Sequence, residues 1–176
     1  MSDIAHFFLA VSFLPDNYHE ESFAHNFAIN TGSFPDLENI DLAIIGVCED
    51  RLAIANKGSA TAPDEVRKHF YNLFAGSFAP RIADLGNIMP GHTERDTFYD
   101  LSETVEFLVK QNIVPIIIGG SQDLTFAQFK GYERLEQTIN IVSVDATFDI
   151  GSAESELNNK TFLGKIILQQ PNYLFN

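Results

Sequence analysis

Two segments of the sequence decide its fold: Ile116-Ile117-Ile118-Gly119-Gly120-Ser121-Gln122-Asp123-Leu124-Thr125 and Ile141-Val142-Ser143-Val144-Asp145-Ala146-Thr147-Phe148-Asp149. Each is a short run of β-branched residues that ends in a polar cluster. Because ligand-binding groups gather outside the carboxyl ends of parallel strands, both clusters should occupy the same edge of one sheet. We therefore predict that these residues lie side by side at the ends of adjacent strands: Gly119, Gly120, Ser121, Gln122, Asp145 and Asp149.

The rest of the chain alternates strand-like and helix-like segments. Apolar runs predict strands at 42–47, 82–86, 113–118, 140–144 and 173–175. Helical spacing predicts helices over 63–75, 98–109, 124–135 and 161–168, the second preceded by Thr93 and Asp96 at the spacing of a capping box. This alternation predicts an α/β fold in three layers, α/β/α, with a parallel sheet.

Domain organisation follows from where that alternation begins. Residues 1–40 are mixed and aromatic-rich, and we interpret them as an N-terminal extension that packs on a domain covering 41–176. The apolar start of a strand at Tyr173 indicates a fold that is interrupted rather than finished. We expect the isolated chain to self-associate or to be poorly stable, because an interrupted sheet leaves apolar surface and an open strand edge.

Composition limits the possible classes of protein. The 176 residues are 45% hydrophobic, enough for one globular domain, and no apolar run approaches a membrane span of about 20 residues. With no signal-peptide pattern either, we expect a cytoplasmic protein. The net charge of −13 argues against nucleic acid as a partner. A single cysteine, Cys48, excludes an internal disulfide and a cysteine-based zinc site.

The two polar clusters resemble motifs of the ureohydrolase family, which includes arginase, agmatinase and formimidoylglutamase. That family carries Gly-Gly-Asp-His-Ser-Leu-Thr after one strand and Asp-Ala-His-x-Asp after the next. Gln122 stands at the first histidine and Thr147 at the second, whereas Asp145 and Asp149 match the two aspartates. The chain therefore resembles a ureohydrolase in which two metal-binding histidines are replaced.

Shorter pieces extend the resemblance in the same order along the chain. Residues 56–58 and 62–67 are similar to the family's glycine loop and its Gly-Pro-x-x-Ile-Arg, and residues 84–87 are similar to its Asp-Leu-Gly-Asp. The similarity covers roughly residues 41–176, corresponds to the first half of a ureohydrolase domain, and is greatest toward the formimidoylglutamase branch. It implies an arginase-like fold that is incomplete.

The resemblance also implies a metal site. In the family, two manganese ions held by two histidines and four aspartates share a hydroxide that attacks a guanidinium or formimino carbon. Asp145 and Asp149 match two of these six ligands, while Gln122 and Thr147 offer neutral oxygens that bind manganese weakly. One divalent ion (Mg, Ca or Mn) at Asp145 and Asp149 is one hypothesis, and carboxylates bonded to backbone amides or to water are the other.

Asp123 and His92 complete the candidate residues. Asp123 follows Gln122 and either replaces a lost metal ligand or sits in the first turn of a helix, where the helix dipole favours a carboxylate. His92 is the histidine nearest the expected site, as a substrate-binding or acid–base group or as a solvated loop residue. Arg67 is expected to make a structural ion pair.

Three functions remain open. The first is a ureohydrolase-like domain with a degenerate metal site, inactive alone, that serves assembly or partner binding. The second is an active metal-dependent amidino hydrolase with a variant or mononuclear site, and the third is a small-molecule or phosphate-binding module. The expected partner is a second copy of the chain or a missing C-terminal half.

Overall fold

A computed structural model of the protein describes residues 4–14, 19–77, 80–152, 154–169 and 173–175. Its strands are β1 (Phe8–Leu9), β2 (Ala28–Ile29), β3 (Leu42–Val47), β4 (Ile82–Ile88), β5 (Val114–Gly119), β6 (Asn140–Val142) and β7 (Tyr173–Phe175). Its α-helices are α1 (Phe23–Asn26), α2 (Ala62–Phe70), α3 (Glu94–Lys110), α4 (Leu124–Glu133) and α5 (Phe162–Ile167). Two short 3-10 helices are formed by Ala5–Phe7 and Ser59–Thr61.

The main sheet is centred on β3, which pairs in parallel with β4 on one side and β5 on the other. The N-terminal residues add two short strands to β4: β2 runs parallel to it and β1 antiparallel. The sheet is therefore mixed: its centre, in which β3 pairs with β4 and β5, is parallel as predicted, and β1 adds one antiparallel strand at the edge of β4. The short strands fit there because β3 occupies only one edge of β4.

Helices cover both faces of the sheet, so the predicted three-layer α/β/α architecture is confirmed. One face is the main apolar core, in which Ile45 and Leu85 pack with Leu101, Val105 and other residues of α3. Successive residues of a strand face opposite sides. Asp84 therefore points to the other face, where it meets Arg67 of α2.

Arg67 and Asp84 form the structural ion pair expected from the sequence. Their side chains are only 1% and 0% exposed, and Arg67 Nε and Nη2 each lie 2.8 Å from an Asp84 carboxylate oxygen. The Tyr71 hydroxyl donates a third hydrogen bond to Asp84 at 2.7 Å, and Arg67 also donates to the Gly86 carbonyl at 2.9 Å. A buried charge pair with these additional bonds joins α2 to β4.

Helix bounds agree with the sequence where a cap fixes them. Thr93 Oγ1 accepts from the Asp96 amide at 3.3 Å, and Asp96 Oδ2 accepts from the Thr93 amide at 2.7 Å, so the predicted capping box is confirmed at the start of α3. Helix α2, which has no side-chain cap, ends at Phe70 rather than at the predicted residue 75. Leu73 and Phe74, whose spacing extended that prediction, are exposed.

Strand β6 does not join the main sheet. It pairs in parallel with β7 in a separate two-stranded sheet, so the predicted adjacency of the strands before Gln122 and Asp145 was wrong. A second apolar cluster, in which Phe129 of α4 packs with Phe162, Leu163 and Ile166 of α5, holds this small sheet. None of the helices in the described parts of the chain has the length and apolar character needed to cross a bilayer.

Candidate functional site

The turn after β5 is docked on the end of β3. The Gly120 amide donates to the Val47 carbonyl and the Ser121 amide to the Glu49 carbonyl, both at 3.0 Å. A Cβ at Gly120 would lie 2.0 Å from the Glu49 carbonyl oxygen, so a side chain at this position would force the two loops apart. This close approach fixes the position of the backbone from which the Gln122 and Asp123 side chains extend.

Asp123 turns inward from that turn. Its side chain is fully buried, the Ser121 hydroxyl donates to its Oδ1, and its Oδ2 has no hydrogen-bond partner. Burial raises the pKa of Asp123, and although the Ser121 hydrogen bond opposes this effect, the nearby Glu49 carboxylate adds to it. Asp123 thus stands just before α4 and faces the end of β3.

Gln122 turns outward and reaches the second polar cluster. Its Nε2 donates to Asp145 Oδ2 at 2.6 Å, and the Thr147 amide donates to Asp145 Oδ1 at 3.2 Å. The Gln122 amide and the Thr147 backbone together lower the pKa of Asp145. The structure therefore brings the two clusters into contact through side chains, although their strands are not neighbours in one sheet.

Asp149 lies deeper, with its side chain 2% exposed. Its Oδ1 accepts from the Thr147 hydroxyl at 2.8 Å and lies 3.3 Å from Lys160 Nζ. Lys160 Nζ is also 3.5 Å from Thr147 Oγ1, so the ammonium contacts both residues of the loop. Asp149 Oδ2 is buried and unpartnered, and the backbone adopts a φ of 43° that the Leu163 amide stabilises by donating to the Asp149 carbonyl.

These side chains do not fit a binuclear manganese centre as they are arranged. Within the described ranges, no three His, Cys, Asp or Glu side chains converge as a metal-binding group. The amide of Gln122 presents its N–H to Asp145, and an ammonium rather than a histidine ring faces Asp149. An ion pair and hydrogen bonds therefore occupy Asp149 Oδ1 and both carboxylate oxygens of Asp145, whereas Asp149 Oδ2 has no hydrogen-bond partner.

A third cluster, at the end of β3, was missed by the sequence reasoning. Glu49 is buried and accepts from Arg51, whose Nε lies 3.0 and 2.9 Å from the two carboxylate oxygens. Burial raises the pKa of Glu49, but the hydrogen bonds from Arg51 outweigh it, so the net shift is downward. The signal for this cluster was the run Glu49-Asp50-Arg51, three charged residues that follow the apolar run of β3 after Cys48.

Arg51 also holds the backbone of the loop that contains His92. Its Nη1 donates to the carbonyls of Gly91 and His92 at 3.2 and 3.0 Å, and its Nη2 donates to Thr97 Oγ1 at 3.2 Å. The contact to His92 is thus made to the backbone, and the residue is exposed. A substrate-binding role for the His92 side chain stays a prediction.

The loop between β3 and α2 closes over the same edge. Asp50 Oδ2 accepts from the Gly58 amide at 2.6 Å, and Lys57 Nζ donates to the carbonyls of Asp50 and Arg51 at 2.9 Å each. Cys48, between the buried Val47 and Glu49, is half-buried. Burial and the carboxylate of Asp64 raise the pKa of the Cys48 thiol, which keeps it protonated near neutral pH.

A mostly parallel sheet with helices on both faces and acidic loops beyond β5 and β6 defines a three-layer α/β protein. The chain belongs to the Arginase family, whose family model matches residues 40–173. The resemblance to the ureohydrolases and the arginase-like fold are both confirmed by this match and by the solved structures.

Formimidoylglutamases stand out among the relatives. The enzyme from Macrococcus caseolyticus (strain JCSC5402) is 34% identical over 126 residues, which are 66% of this chain and 39% of that protein. Two solved structures share the fold: formimidoylglutamase from Bacillus subtilis subsp. subtilis str. 168 and Trypanosoma cruzi formiminoglutamase with two Mn2+ ions.

The fold comparisons extend over most of this chain and about half of each relative. The B. subtilis structure has a TM-score of 0.73 at 20% identity and covers 93% of this chain and 53% of that one. The T. cruzi structure has a TM-score of 0.68 at 18% identity and covers 75% and 49%. The chain thus spans about half the length of the relatives it matches, or less.

Proposed function

We propose that this chain is a formimidoylglutamase-related domain whose metal site is degenerate, so that it does not hydrolyse amidines alone and serves assembly with another polypeptide. The observation that carries the proposal is the pairing of Asp149 with Lys160. A buried carboxylate 3.3 Å from an ammonium is already neutralised, and the neutral amide of Gln122 donates a hydrogen bond to Asp145. A cytoplasmic location is part of the same proposal.

The electrostatics of Lys160 oppose a divalent ion. Two unit charges 4 Å apart interact with about 1 kcal/mol even in bulk water, and a divalent ion doubles this repulsion. Lys160 is 47% exposed, so its chain can swing away, but the ion would then gain only neutral oxygen ligands in place of imidazole. Metal binding at Asp145 and Asp149 should therefore be weak.

One observation favours the rival function, an active metal-dependent amidino hydrolase with a variant site. Asp149 Oδ2 is buried without a hydrogen-bond partner, and such an atom is available to a cation. The T. cruzi relative is described with two Mn2+ ions, which makes manganese the ion to test. The two functions differ in metal stoichiometry and in turnover.

Titration of the purified chain with MnCl2 by calorimetry tests the proposal. We expect no tight binding by the unmodified chain and about tenfold or more tighter binding by Lys160→Met, because the repulsion is removed. Lys68→Met is the matched control, since Lys68 is a similarly exposed lysine that pairs with the carboxylate of Glu65 on α2. Two tightly bound manganese ions in the unmodified chain would contradict the proposal.

A second pair of substitutions restores the family's histidines. Gln122→His together with Thr147→His should raise affinity for one transition metal ion, since imidazole is the better ligand, yet should give no hydrolysis of formimidoylglutamate, agmatine or arginine. Turnover is measured as release of formamide or urea. Metal-dependent turnover by the unmodified chain that disappears in Asp145→Ala would establish the rival function instead.

A further inference from the structure

An open groove runs along α4 from β5 to β6. A cavity of about 200 Å³ lies against the end of β5, and one of about 420 Å³ lies against β6. Thr125 and Gln128 of α4 line both cavities, so the two lie next to each other along this helix. We call this the β5–β6 groove, and it is lined by Ile117, Gly119, Thr125, Gln128, Asn140 and Val142.

One wall of the groove is a free strand edge. The Val114 amide donates to the carbonyl of Asp41, the residue before β3, and the Gly120 amide donates to the carbonyl of Val47, which ends β3, each at 3.0 Å. Because successive amides of a strand point to opposite edges, Ile117 and Gly119 direct theirs away from β3. Pro115 occupies the remaining outward position and has no N–H. Among the described strands, none pairs with β5 on that side.

The other wall repeats the pattern. The Ser143 amide donates to the Phe175 carbonyl at 2.8 Å, so by the same alternation the Val142 amide points away from β7. Val142 is 71% exposed, and Val114 and Ile116 on β5 are exposed as well. Two unpaired strand edges with exposed β-branched residues thus face a groove whose floor is a helix.

We propose that the β5–β6 groove is a docking site for β-strands of a polypeptide that corresponds to the part of the formimidoylglutamase domain this chain does not match. The B. subtilis structure covers 93% of this chain with 53% of its own, so both small and main sheets belong to one shared fold while nearly half of that fold has no counterpart here. A second copy of this chain fits less well, because each copy carries a net charge of −13.

The probe is the C-terminal half of the Macrococcus caseolyticus formimidoylglutamase, made as a separate chain and mixed with the full 176-residue protein. We expect a 1:1 complex by sedimentation at micromolar concentrations. Hydrogen exchange followed by NMR then gives the geometry. On binding, the Ile117 and Gly119 amides should become protected at least tenfold, whereas the Ile116 and Ile118 amides, which already face β3, should not change.

Gln128→Trp should abolish the complex by filling the groove, and Gln111→Trp, the same change at an exposed position after α3, should not. Thermal unfolding without the probe shows whether Gln128→Trp is folded. If it is not, the exchange pattern of the unmodified chain with the probe tests the proposal.

Absence of a complex, or a complex in which the Ile117 and Gly119 amides stay unprotected, would overturn the proposal. Protection of these amides in the chain alone at high concentration would assign the groove to a second copy. Neither tryptophan variant alters Asp145, Asp149 or Lys160, so this result is independent of the metal titration.

Discussion

The two sides of β3 differ in how completely their polar and apolar groups are used. On the β4 side, Asp84 is fully buried and bonded to Arg67 and Tyr71, and every residue of β4 is buried. On the β5 side, β-branched residues are exposed along the strand, and beyond β6 Val144 is 99% exposed. β3 thus separates a side on which the strand is buried throughout from a side on which, among the described strands, the outer edge of β5 is unpaired.

This difference indicates which side of β3 contributes more to the stability of the isolated chain. On the β4 side a buried charge pair joins α2 to the sheet. Such a pair destabilises the fold unless all of its hydrogen bonds are made. The β5 side keeps strand edges and apolar side chains that contribute little to the isolated chain. Substitutions should therefore have large effects on the first side and small effects on the second.

The largest effect should come from Arg67→Ala. It leaves the Asp84 carboxylate buried without its cation, which should lower the free energy of unfolding by about 3–5 kcal/mol. Tyr71→Phe, which removes one hydrogen bond to the same carboxylate, should lower it by about 1 kcal/mol. Urea unfolding followed by circular dichroism measures both, and a cost below that of Tyr71→Phe would show that the charge pair does not carry this side of the sheet.

An intermediate and pH-dependent effect is expected from Asp123→Asn, at the junction of the two sides. The folded-state pKa of Asp123 is raised by burial, so the ionised form destabilises the fold as pH rises from the unfolded-state value through the folded one. The asparagine variant lacks this effect. Its stability relative to the unmodified protein should therefore increase from acid to neutral pH.

Asp96→Asn is the control for that pH dependence, because the amide and hydroxyl of Thr93 lower the pKa of Asp96. A lowered pKa stabilises the fold above the unfolded-state value and ceases to do so as pH falls through the folded one. The relative stability of Asp96→Asn should therefore decrease from acid to neutral pH. Urea unfolding at a series of pH values distinguishes the two slopes, and equal slopes would refute the assignment of Asp123 as a destabilised carboxylate.

The smallest effect should come from Val144→Ser. Val144 is 99% exposed, and an exposed substitution without partners should change the free energy of unfolding by less than about 0.5 kcal/mol. The measurement is urea unfolding at low and high protein concentration. A loss above 1 kcal/mol that grows with protein concentration would mean that another copy covers Val144, and the contrast between the two sides would not hold for the associated form.

Local chemistry made much of the fold predictable. The Thr93–Asp96 capping box fixed the start of α3, and the continuous apolar run before Cys48 fixed β3. The place of β6 was not predictable, because an alternating strand and helix pattern states the order of elements but not which strands pair. The strands β1 and β2 of the N-terminal extension were not predictable either, because a two-residue strand has no periodicity to detect.

The candidate site was predictable to the same degree. The motif around Gln122 and Asp145 placed these side chains together, and they are 2.6 Å apart. Lys160 was missed because its contact with Asp149 depends on a loop that returns from eleven residues further along the chain, and no spacing rule describes such a loop. The buried Glu49 was missed because a carboxylate after a strand is ordinarily solvated.

Cys48 gives the chain a built-in kinetic reporter. It is the sole thiol, it lies at the end of β3 on the boundary between the two sides, and its raised pKa slows reaction with disulfide reagents in the native state. The rate at which an Ellman-type reagent labels it therefore reports the exposure and protonation of this one thiol. A change in that rate on binding or substitution would report a change at the end of β3 without any engineered probe.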